Sequence, residues 1–169
     1  MSAQLHYGYN PAVGAPGGIY DIAPYQIDTL LNEADNGVMK FGFGVVKGTK
    51  PGVNADMPKA ESTAADFEGV TINNRTTEFD LDGNVYLRKG KALGVMRWGK
   101  CFVRVAEGCT PAYGDDLYLV VSGDEAGKFG NSSVSGTKIA IKGRFLGGVD
   151  AITKVAAVHL FNQAQEAGE

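Results

Sequence analysis

Hydrophobic and polar residues alternate along most of the chain from residue 38 onward, which predicts β-strands. Met39, Phe41, Phe43 and Val45 alternate with small or polar residues until Gly48 interrupts the run. The same period of two recurs near residues 70–72, 79–87, 93–105, 117–121, 139–146 and 155–161. Turn signals separate these runs at intervals of roughly 8–12 residues. The pattern predicts an all-β fold, a small β-barrel or sandwich of about eight to ten short strands.

Turn residues between the strands predict how several of them connect. Asp82-Gly83 lies between alternating apolar residues and predicts a hairpin. Within 92–105, the sequence Trp98-Gly99-Lys100 is interpreted as a tight turn that joins two strands. Residues 49–66 are expected to form a long polar loop. The last run, 155–161, is apolar on both faces and is expected to be a central strand.

The first 26 residues follow a different pattern. Their spacing of proline and glycine excludes both a helix and a long strand. They nevertheless carry many apolar and aromatic residues, so we expect an extended arm, residues 1–26, that lies on its own domain or on a neighbour. Residues 27–169 are expected to form one β domain, in which Ile27, Leu30 and Leu31 have the spacing of one or two helical turns. The candidate contact residues of the arm are Tyr7, Tyr9, Ile19, Tyr20, Ile22 and Tyr25.

Length and charge limit the possible partners. The chain has 169 residues, which suits a single domain, and its 24 glycines indicate many turns. Its 16 basic and 19 acidic residues give a formal net charge of −3. Nucleic acid and anionic membranes are captured by a clustered positive field, so neither is the expected partner. The sequence has neither a secretory signal pattern nor a membrane-spanning apolar run, and we expect synthesis in the cytoplasm.

Residue chemistry offers no catalytic set. Cys101 and Cys109 have a spacing that matches neither redox nor zinc motifs, and both are expected to be unligated thiols. His159 is expected to be a core or barrel-mouth histidine, and His6 has no ligand partners at metal-binding spacing. The sequence has no nucleophile elbow and no dinucleotide fingerprint. We therefore expect no catalytic residues, no cofactor, no metal and no enzymatic activity.

The order of several short motifs resembles the structural cement, or capsid decoration, proteins of tailed bacteriophages. The resemblance covers roughly residues 15–161 and depends on strand and turn motifs in a fixed order. These are GIYDI at 18–22, FGFGVVKG at 41–48, FEGV at 67–70, VMRWGKCFVRV at 95–105, GDDLYL at 114–119 with GKF at 127–129, and GRFLG at 143–147. The resemblance implies no catalytic residues.

The resemblance implies a virion structural protein that binds the outside of the assembled capsid between major capsid subunits and stabilises the shell. The implied partners are the major capsid protein and other copies of the chain, in a homo-oligomer with a trimer favoured and a dimer possible. The arm is then expected to pack on a neighbouring subunit or on the capsid. A soluble ligand-binding β-barrel module and a tail or baseplate component remain as alternatives at this stage.

Overall fold

The fold is all-β, as the alternation predicts. The computed structural model describes residues 14–73 and 87–162, and within them a short 3₁₀ turn, Ala64–Asp66, accompanies the strands. The predicted hairpin at Asp82-Gly83 lies outside the described residues. The strands are β1 Gln26–Asn32, β2 Gly44–Lys47, β3 Asn54–Asp56, β4 Phe67–Ile72, β5 Ala92–Arg104, β6 Asp116–Val120, β7 Phe129–Gly130, β8 Lys138–Phe145 and β9 Val155–Leu160.

Strand pairing closes the sheet into a barrel and then extends it into a second ring. The order is β1-β3-β2-β4-β5, and β1 also pairs with β5, so these five strands form a closed barrel. The sheet continues from β5 through β9, β8 and β6 to β7. A parallel bridge between Val105 and Phe129 then connects the end of β5 to β7. Strand β5 is therefore common to both rings, and β9 lies between β5 and β8, which confirms its central position.

The two rings have separate hydrophobic cores, and β4 of the first barrel adds Phe67, Val70 and Ile72 to the second core. The first core contains Leu30, Met39, Phe41, Val45, Leu93 and Val95. The second contains Cys101, Val103, Leu117, Phe129, Phe145 and Val158. Strand β5 supplies Leu93 and Val95 to the first core, and Met96, Cys101 and Val103 to the second. Met96 and Cys101 would lie on opposite faces of a regular strand, so their sharing one core requires β5 to change its inward face between them.

The change of face occurs in the middle of β5, where the sequence was interpreted as a turn. That interpretation is wrong, because residues 92–104 form one continuous strand. Val95 and Met96 are buried in succession, which breaks the simple alternation. Gly99 follows with φ of +126°, and a Cβ there would lie 2.5 Å from the Cβ of Tyr25. Glycine therefore reorients the strand without reversing the chain, and this is why the local signal resembles that of a turn.

Three other predicted elements differ from the structure. The predicted helical turns at 27–31 are wrong, since this segment is strand β1, whose pairing with β5 outweighs the helical spacing of its apolar residues. The expected strand near 39–46 begins only at Gly44, because Gly42 at φ +79° bends the chain and donates a hydrogen bond to Thr71 O. The polar stretch 49–66 is more ordered than a loop, since it contains β3 and the 3₁₀ turn.

A charged cluster ties β5 to its two neighbours in the first barrel. The Arg97 guanidinium on β5 donates through Nε to Asp28 Oδ2 on β1 at 2.7 Å. Its Nη1 donates to the Glu68 carboxylate and to Glu68 O on β4. The Glu68 carboxylate is only 5% exposed, so Arg97 is its main electrostatic compensation. The same guanidinium is the main cause of the lowered pKa of Asp28.

Replacing Arg97 tests this cluster. Arg97→Met leaves the buried Glu68 carboxylate without its cation, and we expect a loss of about 3 kcal/mol of unfolding free energy. Arg97→Lys retains the positive charge but lacks the planar guanidinium that binds two partners, so it should lose less unfolding free energy than Arg97→Met. Urea unfolding measures both. An Arg97→Met variant as stable as the wild type would contradict this role of the cluster.

Candidate functional site

The part of the arm that the structure describes is hydrogen-bonded along the second half of β5. Gly17 N donates to Phe102 O at 2.8 Å, Phe102 N donates to Gly18 O at 2.9 Å, and Tyr20 N donates to Lys100 O at 3.0 Å. On its other side, Gly17 O accepts a hydrogen bond from Asn73 N at 2.8 Å. The arm thus fills a slot between the second half of β5 and Asn73, the residue that follows β4.

Glycine is required in this slot because the arm approaches other backbone closely. Gly17 has φ of +73°, and a Cβ there would lie 2.7 Å from both Asn73 N and Thr71 O. A Cβ on Gly14 would lie 2.1 Å from the Phe102 ring. The proline and glycine content that predicted an extended arm therefore also lets the main chain enter the slot.

The main chain is held in the slot, while the candidate contact side chains remain exposed. Ile19, Tyr20 and Tyr25 are 39%, 47% and 44% exposed, and Ile22 is fully exposed at 102%. Together with Asp21 they line an open groove of about 450 Å³. Tyr7 and Tyr9, the other two candidates, lie outside the described residues. The structure thus brings four of the six candidates together on one surface, which we call the arm groove.

A charged row that sequence reasoning missed lies beside the arm groove. Lys100 on β5 lies opposite His159 on β9, and His159 lies opposite Arg144 on β8. Lys100 Nζ donates to Asp21 Oδ2 of the arm at 2.7 Å. The row could not be recognised from the sequence, because its members are far apart along the chain and only the strand order makes them neighbours.

His159 reports the electrostatic potential of this row. It was expected in the core or at a barrel mouth, but it is partly exposed on the outer face of the second ring, which makes that expectation wrong. Partial burial is the main cause of its lowered pKa, and the positive charges of Lys100 and Arg144 lower it further. The negative charge of Asp21 raises the pKa of His159, but by less than the two positive charges lower it. The potential at the centre of the row is therefore positive.

Aromatic rings surround both the row and the arm groove. The Tyr20 ring lies 5.5 Å from that of Phe102, and the His159 ring lies 4.9 Å from that of Phe161. The Arg144 guanidinium lies 5.7 Å from the centre of the Tyr113 ring, and Tyr113 is 68% exposed. Aromatic rings and arginine side chains are enriched in protein interfaces, so this composition suits contact with another protein.

The two cysteines predicted as unligated thiols lie in the second core. Cys101 and Cys109 are buried free thiols, and burial raises the pKa of Cys101 to about 12. Cys109 Sγ accepts a hydrogen bond from Asn131 N at 3.3 Å. Among residues 14–73 and 87–162, no group of three or more His, Cys, Asp or Glu side chains could hold a metal ion. In the same ranges no helix is long and apolar enough to cross a membrane.

Comparisons with known proteins match the chain to one protein family and to a solved fold. A sequence model of the structural cement protein family (E217 gp24/Pam3 gp6) matches residues 3–160 of the chain. Among solved structures, a chain from the capsid of the Myoviridae phage XM1 is 18% identical, with a TM-score of 0.70 over 97% of this chain and 100% of that chain. At this identity the likeness shows a shared fold. The comparison with curated proteins found no match.

Substitution of Gly17 tests the slot. Gly17→Ala and Gly52→Ala both place alanine at a positive φ, which costs about 1–2 kcal/mol each. Only Gly17→Ala adds a collision, because no atom lies within 4 Å of a Cβ on Gly52. We expect Gly17→Ala to be the less stable variant and to exchange the Tyr20 and Phe102 amide hydrogens faster. Equal stability and exchange in the two variants would argue against a tight slot.

The pKa of His159 can be measured by nuclear magnetic resonance, with His159→Gln to assign the signal. We expect a value below the ordinary value of about 6.5. Arg144→Gln should raise it, since one of the two neighbouring cations is removed while Lys100, Asp21 and Phe161 stay in place. The pKa of His159 is lower in the folded protein than in the unfolded chain. Protonation of His159 should therefore reduce the unfolding free energy as the pH falls from the unfolded pKa towards the folded one. No change in Arg144→Gln would contradict the positive potential.

Proposed function

This chain belongs to the structural cement protein family, and we propose that it binds the outer surface of the assembled capsid at junctions between major capsid subunits. Its family gives it a capsid cement role and a place in the virion. We further propose that its role is structural without any catalysis, that its partner is the major capsid protein, and that it is made in the host cytoplasm.

The observation that carries this proposal is the arm groove. Ile19, Tyr20, Ile22 and Tyr25 expose apolar surface on a segment whose main chain is already held in the slot. Burying one such side chain is worth roughly 1.5–3 kcal/mol. Because the backbone is already ordered, a partner that covers the groove gains this energy with little further loss of chain entropy.

The architecture behind the arm groove suits repeated contact with a shell. The closure of β1 through β5 pairs the edges of these five strands with one another, which protects them from unspecific edge pairing. A protein that binds only the assembled shell stabilises that state by mass action. Many copies on one lattice also permit modest affinity at each site.

We propose that the copies also associate with each other, with a trimer favoured over a dimer. The division into an arm, residues 1–26, and a domain, residues 27–169, stays a prediction, and so does the contact of Tyr7 and Tyr9 with a partner. In this proposal the arm groove is covered by a neighbouring subunit or by the capsid, because its apolar side chains keep between 39% and 102% of their surface exposed.

A pair of matched substitutions tests the arm groove. Ile22→Asp and Ile152→Asp each place a charge at a highly exposed isoleucine, at 102% and 91% exposure. Ile152 lies in the turn before β9, at the opposite end of that strand from His159. We expect Ile22→Asp to reduce co-sedimentation with expanded capsid shells about tenfold or more, since an apolar contact is replaced by a charge that must lose its water. Ile152→Asp should bind like the wild type.

Thermal unfolding should be similar in both variants, because neither side chain is buried in the domain. Equal binding of Ile22→Asp and the wild type would exclude the arm groove from the contact. If the wild-type protein binds dissociated capsid subunits as well as it binds shells, binding between assembled subunits is excluded.

A further inference from the structure

We propose that the outer face of the second ring binds carboxylate groups of the capsid through the cationic row, which we define as Arg144, His159 and Lys100. This inference rests on the proposed function and assigns a charge chemistry to the capsid surface that is contacted. The proposal depends on three features of the row: its alignment across three strands, its positive potential, and its continuity with the arm groove.

Strand register aligns the three side chains. Arg144, His159 and Lys100 are direct partners across β8, β9 and β5, and neighbouring strands lie about 4.8 Å apart. The residues next to them along each strand, Phe145, Val158 and Cys101, are buried in the second core. Since successive side chains on a strand point to opposite faces, the three members of the row point outward together.

The charges of the row are only partly neutralised. Lys100 is paired with Asp21, but in the described part of the chain Arg144 has no ion-pair partner. Asp116 on β6 is the strand partner of Arg144 and lies at the other end of the row. The Arg144 guanidinium is positioned by the Tyr113 ring and retains its donors for a carboxylate, which it can bind through two parallel hydrogen bonds.

The row is continuous with the arm groove. Asp21 both lines the groove and pairs with Lys100, and the Tyr20 ring contacts Phe102, two residues from Lys100. A single partner surface can therefore cover apolar side chains on one side and reach the cations on the other. Interfaces combine an apolar centre with charged groups that set orientation and partner choice.

The arrangement favours a protein carboxylate over nucleic acid. Duplex DNA carries a negative charge about every 1.7 Å and is captured by a stripe of many cations. Here two permanent cations lie between two carboxylates, Asp21 and Asp116, which would repel a continuous line of phosphates. An isolated carboxylate can approach Arg144 from the side of His159, which is the side away from Asp116.

Charge reversal tests the row. We expect Arg144→Glu to weaken binding to expanded shells about tenfold or more and to flatten its dependence on salt concentration. Lys50→Glu is the control, since Lys50 is exposed in the first barrel and the change in net charge is the same. Arg144→Lys should fall between the wild type and Arg144→Glu, because it retains the charge without the planar fork. Circular dichroism and thermal unfolding establish that each variant folds.

The outcomes separate this inference from the proposed function. Equal binding of Arg144→Glu and the wild type would overturn the inference alone, whereas a wild-type protein that fails to bind shells would overturn both. A change of oligomeric state in Arg144→Glu, with shell binding unchanged, would make the row a subunit contact and overturn the capsid assignment. Binding of the wild type to naked duplex DNA that is lost in Arg144→Glu, with shell binding unchanged, would overturn the choice of carboxylate.

Discussion

The structure depends on one strand serving two rings. Strand β5 closes the first barrel through β1 and β4, and then forms the edge from which β9 and the second ring continue. Gly99 makes this possible, since its positive φ changes the inward face between Met96 and Cys101. The slot for the arm also depends on the second half of β5, since Gly17 is hydrogen-bonded to Phe102 on one side and to Asn73, the residue after β4, on the other. Both the arm groove and the cationic row lie along this second half of β5.

The described part of the arm, residues 14–26, is held through its main chain and keeps exposed side chains. An extended terminus normally becomes ordered only when its apolar groups are buried. Here hydrogen bonds to Phe102 and Lys100, together with the close approach of Gly17 to β4, hold the backbone. The apolar side chains of this segment thus keep exposed surface, which the proposed function assigns to a partner.

Local patterns predicted the fold class, because alternation over several residues reflects a sheet with one buried face. They also predicted the central position of β9, because its residues are apolar on both faces. The local predictions were wrong where contacts between distant segments determine the structure. The spacing of Ile27, Leu30 and Leu31 fits a helix, yet pairing with β5 makes β1 a strand. The sequence around Gly99 is typical of a turn, but in the structure β5 continues through Gly99 and changes which of its faces is turned inward. Arg144, His159 and Lys100 could not be predicted as a group, since no local signal encodes which strands are neighbours.

The antiparallel pairing of the arm with β5 also has a mechanical consequence. Ile19 and Cys101 form an antiparallel bridge, and hydrogen bonds at Gly17, Gly18 and Tyr20 connect the two segments. A pull along the arm loads these bonds together in shear, whereas a pull perpendicular to it would break them one after another. Tension directed along β5 is also carried into both rings, because the strand belongs to each. The attachment is therefore strongest against forces that act along the strand and weakest against peeling.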